Sequence, residues 1–230
     1  MQRQLFIYGS GRHTVPFLDY LANITGKDTP NLCFIPTASG DDEAYIASFY
    51  DVCSQIDVVP HVLKVWINSY DQKETFGEII QKMDAIVVGG GNTLNMLAIW
   101  KAQGIDTELK KAYDKGVAMA GGSAGSLCWF NAGTTDSRPK ELSIVNGMSF
   151  IDKSHCPHYN SETSRRPLYH NNILSGKLSD GYACDDRSAI HFINEEVYTS
   201  VSLDERNHSY YVYSQNGIIR EERLESYVIG

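Results

Sequence analysis

Five short apolar runs recur along the first half of the chain, at residues 5–8, 32–35, 61–65, 85–88 and 117–120, with longer amphipathic stretches between them. Four of the five are apolar almost throughout, as in strands covered on both faces. The intervening stretches, at about 14–25, 41–56, 74–83, 93–103 and 105–115, have the length and period of helices. Parallel strands need a crossover, and a helix packed on the sheet supplies it. The spacing therefore predicts an α/β fold: a three-layer, doubly wound, mostly parallel sheet with helices on both faces. Turn chemistry marks the same boundaries, with Ser39-Gly-Asp-Asp-Glu opening one helix and Gly116 closing another. Beyond about residue 180 the texture changes. Ala189-Ile-His-Phe-Ile, Glu196-Val-Tyr-Thr-Ser-Val and Ser209-Tyr-Tyr-Val-Tyr, separated by short polar turns, predict a C-terminal antiparallel extension that closes one edge. With no repeat, low-complexity tract or proline-rich linker, one domain over residues 1–230 is the simplest organisation.

Composition narrows the classes of partner. The 230 residues are 42% hydrophobic and 21% charged, enough apolar mass for a large buried core. A formal charge of −8, with basic residues scattered except at Arg165-Arg166, argues against a nucleic-acid surface. The amino-terminal apolar run is too short for a signal peptide or a membrane span, so a cytoplasmic protein without membrane attachment is expected. Five cysteines, mostly in apolar contexts such as Leu-Cys33-Phe and Leu-Cys128-Trp, read as reduced core thiols. Small neutral or peptidic ligands remain open, and oligomeric state is not encoded legibly.

In a parallel sheet the loops leaving the carboxyl ends of the strands meet at one rim, where ligands bind. Four such loops carry marked chemistry: Gly9-Ser-Gly-Arg, Pro36-Thr-Ala-Ser, Gly89-Gly-Gly-Asn-Thr and Gly121-Gly-Ser-Ala-Gly. In the last, Gly121, Ser123 and Gly125 form Gly-x-Ser-x-Gly, the pattern of a sharp strand-to-helix turn that presents a nucleophilic hydroxyl. A plain helix cap at Ser123 would use the same residue types. The glycine triplet follows an apolar strand and opens a helix, so its amides can face a negatively charged oxygen. The amide of Ala124, next to the serine, would be the second such donor. Close packing of strand on helix is the competing use of the triplet.

A serine hydroxyl needs a base. Of seven histidines, His155 and His158 flank Pro157 in Ser154-His-Cys-Pro-His-Tyr, and His158 is the candidate. A carboxylate should orient it, and Asp185-Asp186 lies at a bend between strands, with Asp136 as competitor. His155, Cys156 and His158 find no further ligand cluster at a metal-binding spacing, so no metal is expected. Gly9-Ser-Gly11 lacks the third glycine of a dinucleotide fingerprint, since position 14 is threonine.

Phe34-Ile-Pro-Thr-Ala-Ser, Val88-Gly-Gly-Gly-Asn-Thr, Gly122-Ser-Ala-Gly and Cys156-Pro-His-Tyr occur in this order within roughly residues 30–190. Together they resemble the aspartyl dipeptidase (peptidase E) and cyanophycinase family of serine peptidases. The resemblance implies a class I glutamine amidotransferase-like fold with serine in place of the amidotransferase cysteine. It makes Ser123 the nucleophile, His158 the general base, and Gly90 or Gly91 with Ala124 the oxyanion donors. Cys184-Asp-Asp-Arg-Ser-Ala-Ile is similar to a family segment whose acid, often glutamate, precedes an apolar residue by four positions, which places Asp186 as the acid. Asp136 matches another acid assigned to the family's triad. An arginine downstream of the histidine reads the substrate's aspartate in the dipeptidases, which points to Arg165 or Arg166, and Asn92 stands with them as a substrate-binding candidate.

The expectation that follows is serine-dependent hydrolysis of an amide in a small peptide, with a preference for amino-terminal Asp and no cofactor. Two alternatives accompany it: a catalytically silent small-ligand-binding homologue, and a hydrolase of another amide or isopeptide such as a cyanophycin-like peptide.

Overall fold

The computed structural model describes residues 2–229 apart from 69 and 71. Five parallel strands occupy the middle and one side of an eight-stranded sheet: β1 (Gln4–Tyr8), β2 (Asn31–Ile35), β3 (Val59–Val62), β4 (Ala85–Val88) and β5 (Ala118–Gly122). Strands β10 (Ser188–Ile193), β11 (Glu196–Ser202) and β14 (Ser226–Val228) extend its other side, giving the order β14-β11-β10-β1-β5-β4-β2-β3. Strand β1 shows why the central runs lack alternation. Leu5, Phe6, Ile7 and Tyr8 are all fully buried: Leu5 and Ile7 belong to one core cluster, Phe6 and Tyr8 to the other.

Helices α1 (Val15–Ile24) and α2 (Glu43–Cys53) cover the Phe6 face through Phe17, Leu21, Ile46 and Phe49. The opposite face meets α3 (Phe76–Ile80), α4 (Thr93–Gln103) and α5 (Ile105–Asp114) through Ile80, Trp100 and Leu109. Burying each such side chain removes enough apolar surface from water to contribute about 1.5–3 kcal/mol, so the three-layer packing is the main source of stability. Strand β3 sits at the sheet edge, where the missing N–H of Pro60 breaks no ladder bond to a further strand. It begins and ends earlier than the run 61–65 suggests, because the amides of Val65 and Trp66 turn to the Asp41 carboxylate (2.5 and 2.6 Å).

Residues 130–184, which show little regular pattern in the sequence, build most of a second, six-stranded sheet. Its strands are β6 (Phe130–Thr135), β7 (Ser143–Asn146), β8 (Ile151–Cys156), β9 (Gly181–Cys184), β12 (Ser209–Gln215) and β13 (Ile218–Arg223), in the order β13-β12-β9-β8-β6-β7. Helix α7 (Arg165–Leu174) packs on it through Tyr169 and Ile173. The expected C-terminal meander is thus divided. β10 and β11 pair antiparallel within the first sheet, whereas β12 crosses to the second and pairs with β9 and β13.

Candidate active site

Strand β5 runs into Ser123, which is followed by the four-residue helix α6 (Ala124–Leu127). Ser123 has φ 55 and ψ −117, a conformation that costs a residue with a Cβ about 1–3 kcal/mol. The glycines around it answer to close backbone approach. A Cβ on Gly121 would collide with the carbonyl of Gly125, and one on Gly125 with that of Val88. The turn is therefore the strained strand-to-helix bend suggested by Gly-x-Ser-x-Gly, and no side-chain hydrogen bond makes Ser123 a helix cap.

The four marked loops converge. A Cβ on Gly11 would stand 2.9 Å from Gly90 Cα and 3.3 Å from Ser123 Cβ, so the loop after β1 lies directly against Ser123. Gly91 has φ +138 and packs against the Ala38 carbonyl, which also accepts from the Asn92 amide (2.8 Å). Tyr45, on the first turn of α2, ties two of these loops together. Its hydroxyl donates to the Gly11 carbonyl and accepts from the Gly90 N–H (3.2 Å), while burial pushes its pKa up to about 12.

The second sheet contributes the other two groups. Strands β8 and β9 are parallel neighbours with Cys156 opposite Ala183, so the residues just past their carboxyl ends emerge side by side. His158 follows β8 by two positions and Asp186 follows β9 by two. The register places His158 Nδ1 2.7 Å from Asp186 Oδ1 and His158 Nε2 2.8 Å from Ser123 Oγ. The carboxylate is an acceptor only, so Nδ1 carries the proton and Nε2 offers its lone pair to the hydroxyl. The hydrogen bond from His158 holds the Asp186 carboxyl below the usual carboxylate range, against the opposing effect of its partial burial.

The other sequence candidates take different places. Asp136 is largely exposed and lies 3.5 Å from the Arg165 guanidinium, and no hydrogen bond joins it to His158. Asp185 faces the other way, accepting from the His208 amide (2.8 Å). Arg165 is buried, bonded to the Thr134 carbonyl (2.9 Å) and to both oxygens of Glu162. Arg166 forks onto both oxygens of Glu221 (2.8 and 2.6 Å) and stacks over Tyr159 and Tyr210. Neither arginine lines the hollow at Ser123, because each is matched by a glutamate brought close in the fold. The Asn92 side chain is also spent internally, capping α4 through the Asn95 amide (2.9 Å) and donating to the Ser137 carbonyl (3.0 Å). The Gly90 N–H is given to Tyr45, which leaves Gly91 and Ala124 as the amides next to the serine that have no partner among the described residues.

His155 is fully buried between Ser126 Oγ (2.9 Å) and the Tyr182 carbonyl (3.0 Å), and burial pushes its pKa down to about 3. Cys156 turns to Thr134 (3.1 Å), so the two do not converge with His158 on one point. Sequence reasoning passed over Tyr45, Arg12 and Asp42, all of which line the hollow at Ser123. The available signal was positional: Arg12 belongs to one of the four rim loops, and Asp42 and Tyr45 share the first turn of a helix opening at that rim.

The fold and this rim constellation define a mixed α/β protein with a serine at a strained strand-to-helix turn, and the comparisons with known proteins make the class specific. The profile of Peptidase family S51 matches residues 5–200, and the chain belongs to that family. It is 43% identical over 183 residues to the uncharacterized peptidase YgaJ of Bacillus subtilis (strain 168), covering 80% of this chain and 78% of that protein. It is 27% identical over 198 residues to Peptidase E of Pasteurella multocida (strain Pm70), covering 80% of each. The crystal structure of a peptidase from an acI-B1 Actinobacterium superposes with a TM-score of 0.73 over 97% of this chain and 94% of that one; its 17% identity makes this a likeness of fold.

Proposed function

We propose that the chain is a serine-type hydrolase of small peptides, resembling the dipeptidases, with Ser123 as nucleophile, His158 as base and Asp186 as the orienting acid. One observation carries the reading: a single imidazole lies within hydrogen-bond distance of both the Ser123 hydroxyl and the Asp186 carboxylate. Nε2 accepts the hydroxyl proton as Oγ attacks the scissile carbonyl carbon, and Asp186 stabilises the imidazolium that forms. The carbonyl oxygen becomes an oxyanion beside the Gly91 and Ala124 amides. As the tetrahedral intermediate collapses, Nε2 returns the proton to the leaving amine, and water repeats the sequence on the acyl-enzyme.

The assignment is tested by Ser123→Ala, expected to leave the far-UV spectrum unchanged and to lower dipeptide hydrolysis by several powers of ten, on the order of 10⁴ or more. A phosphonate probe should label the parent at Ser123 and leave the variant unlabelled. Hydrolysis retained by the variant would refute the nucleophile, and an unlabelled, inactive parent would favour a silent binding protein.

A further inference from the structure

Asp186 stands where the chain passes from one sheet to the other. Strand β9 belongs to the second sheet and β10 to the first, so residues 185–187 cross between them, and residues 203–208 cross back from β11 to β12. Neither ladder supplies partners to a crossing, yet its buried backbone groups must find them. The two crossings supply each other. Asp185 donates its N–H to the His208 carbonyl (3.0 Å), Leu203 donates its own to the Arg187 carbonyl (2.8 Å), and Ser188 Oγ donates to the His208 carbonyl (2.7 Å). The Arg187 guanidinium pairs with the Asp204 carboxylate (2.8 Å).

Two side chains complete the attachment, one on each flank of Asp186. The Asp185 carboxylate, in a residue only 3% exposed, accepts from the His208 N–H (2.8 Å). Burial pushes this carboxyl up, against the opposing effect of the His208 amide. Burying an acid is costly, which sets Asp185 apart from an ordinary turn residue. On the other flank the Asp186 N–H donates to Asn160 Oδ1 (3.2 Å), Asn160 Nδ2 to Asn207 Oδ1 (2.8 Å), and Asn207 Nδ2 to Asp204 Oδ1 (2.8 Å). Its direction is fixed at both ends: a backbone N–H only donates and a carboxylate only accepts, so each amide between them has one orientation. Asn160 lies two residues beyond His158, and the relay therefore joins the loop of the base to the turn of the acid.

We propose that the loop 203–208 clamps the orienting acid, with Asp185 and Asn160 as positioning residues that hold Asp186 within hydrogen-bond reach of His158. The proposal rests on the hydrolase reading for what Asp186 does there; the clamp itself is a matter of geometry. Neither residue lines the hollow at Ser123, so both act through Asp186 and not on a substrate. A catalytic group displaced by about 1 Å can cost about 10²-fold in rate, which is the scale of effect the clamp prevents.

The test compares the parent with Asp185→Ala, Asp185→Asn and Asn160→Ala. Each alanine variant should lower kcat by about 10- to 100-fold and leave KM nearly unchanged. Asp185→Asn, whose amide oxygen can still accept the His208 N–H, should lie closer to the parent. The readout that a merely structural part would not move is the proton NMR resonance of His158 Nδ1–H, far downfield because the proton is held by a carboxylate, and identified by its loss in His158→Gln. It should shift or broaden beyond detection in both alanine variants and persist in Asp185→Asn. Asn160 is exposed, so Asn160→Ala decides the question if Asp185→Ala does not fold. Lowered melting temperatures with kcat and the resonance unchanged would overturn the clamp, as would a fall in kcat with the resonance unmoved, or its absence from the parent. The hydrolase reading fails separately, by absence of turnover and of phosphonate labelling at Ser123. The resonance needs no turnover, and in that event it still decides for or against Asp185 and Asn160.

Discussion

Replacing Ser123 by glycine should give a more stable protein than replacing it by alanine. Both changes remove the hydroxyl and its bond to His158, so their difference isolates the backbone. At φ 55 and ψ −117 the alanine Cβ keeps the strain of the native serine, about 1–3 kcal/mol, whereas glycine is released from it. Glycine also gains freedom in the unfolded chain, which offsets about 0.5–1 kcal/mol. The net is about 0.5–2 kcal/mol in favour of glycine. A 230-residue chain has an unfolding entropy of about 0.5 kcal/mol/K, so the melting temperature should rise by about 1–4 °C over the alanine variant. Paired thermal and urea denaturations of the two variants measure it. A glycine variant equal to or less stable than the alanine variant would show that the turn stores no strain, and the account of the small residues around it would fall.

Asp186→Asn should lower kcat by about 10³- to 10⁴-fold, because an amide can hold His158 in the wrong tautomer, whereas Asp136→Asn should have little effect on kcat; the reverse result would transfer the acid's role. Tyr45→Phe keeps the ring against His13 and Phe34 but orphans the Gly90 N–H and the Gly11 carbonyl; kcat should fall about tenfold with KM nearly unchanged, and an unaltered kcat would deny Tyr45 a positioning part. Gly125→Ala should prevent accumulation of folded protein, since its methyl group meets the Val88 carbonyl; soluble, active variant would contradict the packing. Burial pushes His13 and His155 down to about 3 and His191 to about 4, against 6.5 when unfolded. These groups bind protons more readily unfolded, so their contribution is complete above about pH 6.5 and is lost as pH falls toward the folded values, by up to about 1.4 kcal/mol per pH unit for each. Urea unfolding free energies that stay flat from pH 7 to 4.5 would refute this.

Much of the rim was legible because its signals are local. Apolar runs marked β1, β2, β4 and β5 to within a residue or two, and glycine clusters directly after them marked the loops that meet. The second sheet was not, for a physical reason. Phe130-Asn-Ala-Gly-Thr-Thr and Ile151-Asp-Lys-Ser-His-Cys are short, polar in places and covered unevenly, so neither a period of two nor a continuous apolar run survives. Their strand character comes from pairing with partners far along the chain.

The sequence by itself determined the parallel α/β core, the serine at a turn that tolerates only tiny neighbours, and the short set of histidines and acids that could serve it. Only the tertiary structure decided which of them come together. The register of β8 against β9 brings Asp186, not Asp136, to His158, and Glu162 and Glu221 reach Arg165 and Arg166 while Arg12 lines the hollow. A backbone preference is written in neighbouring residues, whereas the partner of a charge is set by which distant segments the packing of two sheets makes adjacent.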